Sequence, residues 1–460
     1  MSSHLESSAP PVTRELARFA VTIPGEAIPA ATRREATRSF VNWMGCAIGG
    51  AQHEAVDIAL MTLAPFGGPA EHSIPGREER ADPFGAALAM GISSHVFDFD
   101  DTHLRTIIHP AGPVASCLLP LAERQGASGR ALLEALIVGV EVECRIGNAV
   151  YPAHYDVGWH ITGTAGVFGA AAAASRLLGL NEEQATYALG IAATQSSGFR
   201  EMFGSMCKSF HVGSAAKNGL LAALLAQRGF TSSTRAIEAP RGFANVMSTA
   251  RNYDEIMQGL GSTWEIDANT YKPFACGIVI HPAIDGCAQL SRETGIAPDE
   301  IASIRLEVHP LVLELTGKTE PRTGLESKFS VFHAAAAGYM RHRAGEHEFS
   351  DEIVRDPSVV ALRRKISAVV RPGTREDEMR LTLTTTDGRV IEKHVEHAIG
   401  SLARPLSNDD LSAKFMDLAE PVMGEGPGRS ALDAAWAVEG GDVRSLLSAS
   451  RPGAARTPAA

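Results

Sequence analysis

Residues 98–112 read DFDDTHLRTIIHPAG and follow a run of small and apolar residues that predicts a buried helix. The stretch contains three carboxylates, two histidines, two threonines and one arginine. Burying so many ionisable groups beside an apolar segment costs free energy unless the groups pair or take part in chemistry. We therefore take this stretch as the first candidate site and as the point around which the chain is organised.

The spacing within this stretch predicts which side chains act together. If the preceding helix continues for two more turns, its polar residues on one face are Asp98, Asp101, Thr102 and Arg105. Pro110 disfavours the α conformation at the residue before it, so we expect the helix to end there and to present His109 on a turn. The same helical spacing spreads Asp100, Asp101 and His103 around the element, which argues against a metal site built from these three.

The bulk composition excludes several classes of protein. The chain has 460 residues, of which 45% are hydrophobic and 21% charged, and its formal net charge is −11. A chain of this length and composition predicts a soluble globular protein with two domains. The acidic balance argues against a nucleic-acid partner and against an anionic membrane surface, because both need basic patches.

Cysteine spacing and the N-terminus predict the compartment. The six cysteines never occur in CxxC spacing, which argues against zinc, iron–sulfur and disulfide frameworks. The N-terminal MSSHLESSAPP has no apolar core of a secretory signal, and the longest uncharged run, residues 157–175, lacks the composition of a membrane helix. We therefore expect a cytoplasmic protein with no membrane partner.

The period of the apolar residues changes along the chain. Helical spacing dominates up to about residue 272, and strand-like alternation then appears at residues 304–308 and 379–384, followed by a hairpin turn at Asp387-Gly388. The expected fold is mainly α: a large all-α domain, residues 13–272 and 399–447, with a smaller α+β lid domain, residues 273–398, inserted before a C-terminal helical return. Residues 1–12 and 448–460 are expected to be disordered tails.

Local signals place several helix boundaries. Gly49-Gly50 should end one helix, Ser128 should begin another, and the Asn181–Gln184 pair is typical of a capping box. Small residues recur through GWHITGTAG, residues 158–166, which does not match GxGxxG and instead favours close helix packing. In the helix after Ser128, the charged residues expected to form a buried ion-pair network are Glu141, Glu143 and Arg145.

Six motifs occur in an order that resembles the MmgE/PrpD family. They are DFDDTH, HPAG, GWHITGTAG, MCKSFHVGSAAKNG, YKPFACGIVIHPAID and SKFSVFHAAA, and the resemblance extends from about residue 14 to residue 415. It implies a large all-α domain with an α/β lid, a homodimer, and no metal or organic cofactor. Members of that family include dehydratases of the 2-methylcitrate type, cis-aconitate-type decarboxylases and an iminodisuccinate epimerase.

The resemblance also implies a set of pocket residues. His109 and His160 are the predicted acid/base pair, while Asp98 and Thr102 are predicted to orient a histidine or a substrate hydroxyl. The predicted substrate-binding residues are Lys208, Lys272 and His333, the last at a position that is tyrosine in the decarboxylases. Further candidates are His211, His281 and Arg200.

The chemistry shared by these enzymes explains the choice of residue types. Each reaction transfers a proton at a carbon next to a carboxylate, so it needs a positioned base and cations that neutralise developing charge. Histidine suits the first task and lysine the second. The sequence therefore predicts a lyase that dehydrates a small hydroxy di- or tricarboxylic acid. Epimerisation and cis-aconitate-type decarboxylation remain open as alternatives, and a catalytically silent organic-acid binding protein is a weaker one.

Overall fold

The computed structural model describes residues 9–452, so the outer parts of the two predicted tails, residues 1–8 and 453–460, lie outside the described residues. It is 59% helical, well above the roughly one third of a typical soluble domain, which confirms a mainly α fold. The helices are α1 (Val12–Thr22), α2 (Ala30–Gly49), α3 (Glu54–Leu63), α4 (Pro83–His95), α5 (Ala111–Gln125), α6 (Gly129–Val150), α7 (Ala153–Val157), α8 (Ile161–Leu177), α9 (Glu182–Ala193), α10 (Cys207–Gln227), α11 (Phe243–Val246), α12 (Asp254–Met257), α13 (His281–Thr294), α14 (Pro310–Thr316), α15 (Gly324–Ser327), α16 (Val331–Arg341), α17 (Asp351–Arg355), α18 (Pro357–Arg363), α19 (Asn408–Met423), α20 (Glu425–Trp436) and α21 (Val443–Ala449).

The chain forms two compact units. Among the described residues, the first contains residues 9–96, 100–269 and 410–452, and the second contains residues 97–99 and 270–409. The strands are β1 (His72–Ser73), β2 (Arg80–Ala81), β3 (Asp101–His103), β4 (Asn269–Tyr271), β5 (Ile301–Val308), β6 (Ile366–Val370), β7 (Met379–Thr385) and β8 (Val390–Val395). No helix within residues 9–452 combines the length and the apolar character needed to cross a membrane.

The first unit is built on helices that approach closely at glycines. A Cβ atom at Gly91 of α4 would lie 2.4 Å from Gly213 Cα of α10, and one at Gly219 of α10 would lie 2.4 Å from Ala170 Cβ of α8. No side chain larger than hydrogen fits at these crossings, so α4, α8 and α10 pack backbone to backbone. This packing fixes the relative positions of the C-terminal end of α4 and the N-terminal ends of α8 and α10.

The second unit contains a four-stranded sheet. Its strand order is β6-β5-β7-β8, with β5 parallel to β6 and antiparallel to β7, and β7 antiparallel to β8. The alternating residues predicted at 304–308 and 379–384 lie in β5 and β7, and Gly388 has φ +89° in the turn between β7 and β8. A Cβ atom at Gly286 of α13 would lie within 3.0 Å of Met379, Leu381 and Val395 side chains, so α13 packs against the apolar face of β7 and β8.

The predicted caps are confirmed, but one predicted helix is wrong. Gly50 is the C-cap of α2, Ser128 accepts the backbone N–H of Ala131 at the start of α6, and Asn181 with Gln184 forms a capping box. The helix that precedes residues 98–112 does not continue through them, because α4 ends at His95. The side chains predicted to share a helical face therefore do not do so.

Two features of the backbone explain this early end. Asp98 has φ +53°, a left-handed conformation that cannot continue a right-handed helix and that aspartate tolerates better than most residues. Thr102 then lies in the extended strand β3. His109 is outside a helix, as predicted, directly before the N-cap residue Pro110 of α5.

The predicted ion-pair network in α6 forms only in part. Arg145 and Glu141 form a buried pair with an Nε–Oε1 distance of 2.5 Å, and Arg145 also donates to backbone carbonyls, among them that of Gln258 at 2.7 Å. Glu143, in contrast, is fully buried and neither of its oxygens has a hydrogen-bond partner among the described residues. Burial raises the pKa of Glu143 well above its ordinary value and so disfavours its charged form, and the side chain takes no part in the Arg145–Glu141 ion pair.

Replacing Arg145 by methionine is expected to lower the free energy of unfolding by about 3–5 kcal/mol, because the carboxylate of Glu141 would stay buried without its cation. Urea unfolding followed by circular dichroism measures the loss. Adding Glu141→Gln to that variant removes the buried charge and should recover part of the stability. A loss below about 1 kcal/mol in the single variant would contradict a structural role for the pair.

Candidate active site

His109 lies in the first unit and is held by backbone and side-chain contacts on both sides. Its Nδ1–H donates to the backbone carbonyl of Asp101 at 2.7 Å, and its backbone N–H donates to Thr162 Oγ1 at 3.2 Å. Thr102 Oγ1 lies 3.4 Å from the same Nδ1. Because a carbonyl only accepts, the neutral ring carries its hydrogen on Nδ1, which leaves Nε2 as the nitrogen that can exchange a proton.

Next to His109 lies a buried histidine–aspartate pair that the sequence analysis did not predict. His95, the last residue of α4, has its Nδ1 2.7 Å from Asp100 Oδ2, and Asp100 Oδ1 lies 3.4 Å from His109 Nδ1. The rings of His95 and His109 meet edge to face with centroids 4.7 Å apart. The carboxylate of Asp100 therefore faces two imidazoles.

The spacing of these groups permits a metal ion as well as proton transfer. One ligand atom from each of His95, Asp100 and His109 lies within 4.8 Å of the others. Nδ1 of His109 donates to a carbonyl, and Nδ1 of His95 is in hydrogen-bond contact with Asp100. These contacts occupy Nδ1 of both rings and leave each Nε2 for proton exchange or for a cation, because a metal-bound histidine commonly donates its other ring N–H to a carbonyl or a carboxylate.

His160 is the N-cap residue of α8 and lies in the same cluster. Its ring centroid is 5.9 Å from that of His95, and its Nδ1 lies 3.0 Å from Nδ1 of His211 in α10. Burial, reinforced by the neighbouring His95 and by Lys208, holds the pKa of His160 well below its ordinary value. Burial also lowers the pKa of His211, to about 4, so both rings are neutral at pH 7.

Lys208 is the cation that the first unit places beside this cluster. It occupies the first turn of α10, and its Nζ lies 5.3 Å from the centroid of the Phe203 ring. Phe203 in turn meets the ring of His160 edge to face at 5.1 Å. The first unit thus brings together four of the predicted residues: Thr102, His109, His160 and Lys208.

Asp101 shapes the site through its backbone. Its Oδ2 accepts hydrogen bonds from Asn269 at 2.7 Å, from Ser39 at 3.1 Å and from the backbone N–H of Ala111 at 3.3 Å. Burial, together with the nearby Asp100, raises the pKa of Asp101 to about 7. Asp101 therefore anchors the segment whose carbonyl orients His109, and its side chain is occupied by structural contacts.

The second unit pairs two other predicted residues. Lys272 is 2% exposed, and its Nζ donates to Asp98 Oδ1 at 2.7 Å and to the Asp98 carbonyl at 2.9 Å. Lys328, which the sequence analysis did not single out, donates to the carbonyl of Phe97 at 2.5 Å and pairs with Glu346. Two buried lysines thus hold segment 97–99, including the left-handed residue Asp98.

The remaining candidates make contacts of their own. His333 is fully buried, and its Nε2–H donates to the carbonyl of Glu348 at 3.0 Å. Burial lowers the pKa of His333 to about 4, so this ring is a neutral donor. His281 opens α13 with its ring 5.4 Å from that of Phe274. Arg200 stacks on the ring of Tyr155 at 4.1 Å.

Comparison with known proteins agrees with the order of the motifs. The family model described as MmgE/PrpD N-terminal domain matches residues 14–256, and the one described as MmgE/PrpD C-terminal domain matches residues 274–439. Cis-aconitate decarboxylase of Aspergillus terreus is 27% identical over 447 residues, covering 90% of each chain. Human cis-aconitate decarboxylase is 27% identical over 428 residues, covering 88% of each chain. The mitochondrial 2-methylcitrate dehydratase of Yarrowia lipolytica is 23% identical over 447 residues, covering 88% of this chain and 83% of that protein.

Proposed function

Because the chain belongs to the MmgE/PrpD family, we propose that it is a lyase that acts on a small di- or tricarboxylic acid through proton transfer at a carbon next to a carboxylate. The observation that carries this proposal is the histidine cluster of the first unit. The ring centroids of His109 and His160 lie 4.7 Å and 5.9 Å from that of His95. Lys208 lies near enough to His160 for its charge to lower the pKa of that ring.

The two predicted acid/base histidines have different surroundings. A carboxylate oxygen of Asp100 lies 3.4 Å from His109, which stabilises the imidazolium form that an acid needs. The ion pairs and hydrogen bonds of the described residues place no carboxylate on His160, whose pKa is lowered by burial, so His160 is neutral and able to accept a proton. We assign His160 as the base and His109 as the acid.

Dehydration is the reaction that this pair serves most directly. His160 removes the proton from the carbon and keeps it, while His109 protonates the hydroxyl that leaves; the lost water therefore carries the hydroxyl's own hydrogen and the proton from His109, and the pair is reset when His160 releases its proton and His109 regains one. Lys208 provides the positive charge that a substrate carboxylate requires as the carbanion character develops. Lys272 and His333 stay predictions as substrate-binding residues, as do the homodimer, the cytoplasmic location and the independence from a cofactor.

Decarboxylation is the second candidate, and the relatives favour it. The two cis-aconitate decarboxylases named above share a larger fraction of identical residues with this chain than does the dehydratase. Loss of carbon dioxide leaves a carbanion that only has to be protonated, so one acid is enough and His109 would supply it.

A substrate panel in deuterated water tests the proposal and separates the reactions. The purified protein is incubated with hydroxy, imino and unsaturated di- and tricarboxylic acids and followed by NMR. We expect new vinyl signals from a hydroxy acid, because dehydration creates a carbon–carbon double bond. Loss of a carboxyl carbon would identify decarboxylation instead, and deuterium exchange without net product would identify epimerisation.

A control variant, and the case in which no acid is turned over, complete the test. The same panel is run with the His109→Ala/His160→Ala variant, which separates turnover by this site from turnover by a contaminant. If the wild-type protein binds an acid but changes none of them, the lyase proposal is wrong and a silent organic-acid binding protein is the better description.

A further inference from the structure

His211 occupies an unusual position beside the predicted base. Its Nδ1 lies 3.0 Å from Nδ1 of His160, a hydrogen-bond distance between two nitrogens that are each a donor or an acceptor depending on the tautomer. Lys208 precedes His211 by three residues on α10, so both side chains project from the same face of that helix. One helix thus supplies both a cation and an imidazole to His160.

The surrounding backbone is shaped to hold the ring of His211 in place. A Cβ atom at Gly198 would lie 3.0 Å from His211 Cγ and 3.1 Å from its Nδ1, and a Cβ atom at Gly163 would lie 3.1 Å from His211 Cβ. Gly198 has φ +126°, and its carbonyl accepts the backbone N–H of His160 at 3.0 Å. Glycine at these two positions therefore leaves room for the His160–His211 contact.

Only one direction of this hydrogen bond lets His160 act as a base. A neutral imidazole has one N–H and one lone pair. If His211 donated, the hydrogen of His160 would be on Nε2 and its lone pair would be used at Nδ1, so the ring could not take a proton from a substrate. If His160 donates through Nδ1–H, its Nε2 carries the free lone pair.

We infer that His211 is a positioning residue that accepts the Nδ1–H of His160 and thereby keeps Nε2 of His160 as the proton acceptor for the substrate. The inference rests on the proposed function, because it assigns the base of that reaction. In the step itself the carbon–hydrogen bond breaks, its electron pair stays on the substrate and the proton bonds to Nε2. The resulting imidazolium still donates through Nδ1–H to His211, which shares the positive charge without itself being an anion.

The groups around His160 make this acceptor valuable. The titratable neighbours that act on it are His95 from α4, His109 from the segment before α5, and Lys208 and His211 from α10, and a positive charge on any of them disfavours its cationic form. Without a hydrogen-bond acceptor at Nδ1, the imidazolium would have no compensating contact among these neighbours. His211 lowers the cost of forming it because it is held neutral by burial and offers a lone pair.

The tautomer is measured directly, without a substrate. In protein labelled with ¹⁵N in its histidine rings, a long-range ¹H–¹⁵N correlation spectrum at pH 7 should show His160 protonated on Nδ1 and bare on Nε2. His211 should show the complementary pattern, with its hydrogen on Nε2. A His160 ring protonated on Nε2 would overturn the inference, whatever the substrate of the enzyme is.

Two variants of His211 test its effect on the reaction. His211→Asn places an amide oxygen where Nδ1 was and keeps an acceptor, whereas His211→Phe keeps a ring and removes the acceptor. We expect His211→Phe to lower kcat about 10- to 100-fold with little change in KM, the range typical for partners that orient a histidine. We expect His211→Asn to retain most of kcat.

The pH profile separates this role from a merely structural one. At low pH the base becomes protonated, and kcat/KM falls. Loss of the hydrogen-bond acceptor lowers the pKa of His160 further, so the acidic limb of the profile should move to lower pH in His211→Phe. In His211→Asn, which keeps an acceptor, the acidic limb should stay in place. His154→Phe is a matched control, because His154 is also a buried histidine of the first unit and its ring contacts the Met247 carbonyl and Thr164 instead. His154→Phe should lower the free energy of unfolding and leave the acidic limb of the pH profile unchanged.

The outcomes distinguish the inference from the proposed function. Equal kcat and equal pH profiles in His211→Phe and wild type would overturn the positioning role even if the enzyme is a lyase. A wild-type protein that turns over no acid in the panel, but shows the expected His160 tautomer, would instead remove the lyase proposal and leave the hydrogen-bond direction supported.

Discussion

Alanine at His109 or at His160 is expected to lower kcat by about 10²- to 10⁴-fold, the contribution usual for a general acid or base. His109 loses the only nitrogen assigned to protonate the leaving group, and His160 loses the lone pair assigned to take the substrate proton. The double variant should be little slower than either single variant, because the two groups act in one reaction and their effects are not additive.

Stopped assays on the substrate identified by the panel measure these losses. Both histidines are buried, so circular dichroism and a urea unfolding curve must first show that each variant is folded. His103→Gln is a useful comparison, because His103 lies in the same stretch but contacts Thr106 and Glu265 rather than the cluster. Turnover within a few-fold of wild type in either alanine variant would end the acid/base assignment.

Local sequence signals were enough to predict much of the fold. Gly50, Ser128 and Asn181 mark helix ends through contacts with residues at most four positions away, and such contacts are visible in the sequence. The alternation at residues 304–308 and 379–384 predicted β5 and β7 because one face of each strand is buried. These features depend on propensity and periodicity, so little tertiary information was needed.

The conformation of residues 98–112 was predicted less well, because it depends on distant residues. The helical extension through Asp98 is favoured by local spacing, but the chain turns left-handed there and its carboxylate pairs with Lys272, 174 residues later. Likewise, Asp101 binds Asn269, 168 residues later. Long-range partners of this kind override local propensity and cannot be read from one sequence.

The residues of the candidate site also divide into those that the sequence predicted and those whose role depends on distant contacts. His109, His160 and Lys208 were predicted through the family resemblance, and the first unit brings them together. His95 and Asp100 were missed because a histidine at the end of an apolar helix is usually structural, and because Asp100 was considered only as part of a metal site that helical spacing argued against. The signal for His211 was present, since it lies three residues after Lys208, but its contact with His160 depends on the crossing of α8 and α10.

Replacing Lys272 by methionine is expected to lower kcat/KM by at least about 10²-fold and to lower the free energy of unfolding by about 3–5 kcal/mol, the cost typical of breaking a buried ion pair. Lys272 is 2% exposed and makes two hydrogen bonds to Asp98, at 2.7 Å and 2.9 Å. The methionine fills a similar volume but leaves the Asp98 carboxylate without its ammonium. The left-handed conformation of Asp98 then loses a contact that holds it.

A second substitution separates stability from activity at this pair. In Lys272→Met/Asp98→Asn no uncompensated charge remains buried, so the unfolding midpoint should recover towards wild type. Turnover should not recover, because both side chains are assigned to the pocket by the family resemblance. Lys272→Arg should also fail to restore activity, since the larger, planar guanidinium does not fit the buried space that holds a compact ammonium. Recovery of full turnover in the double variant would mean that Asp98 and Lys272 only stabilise the second unit.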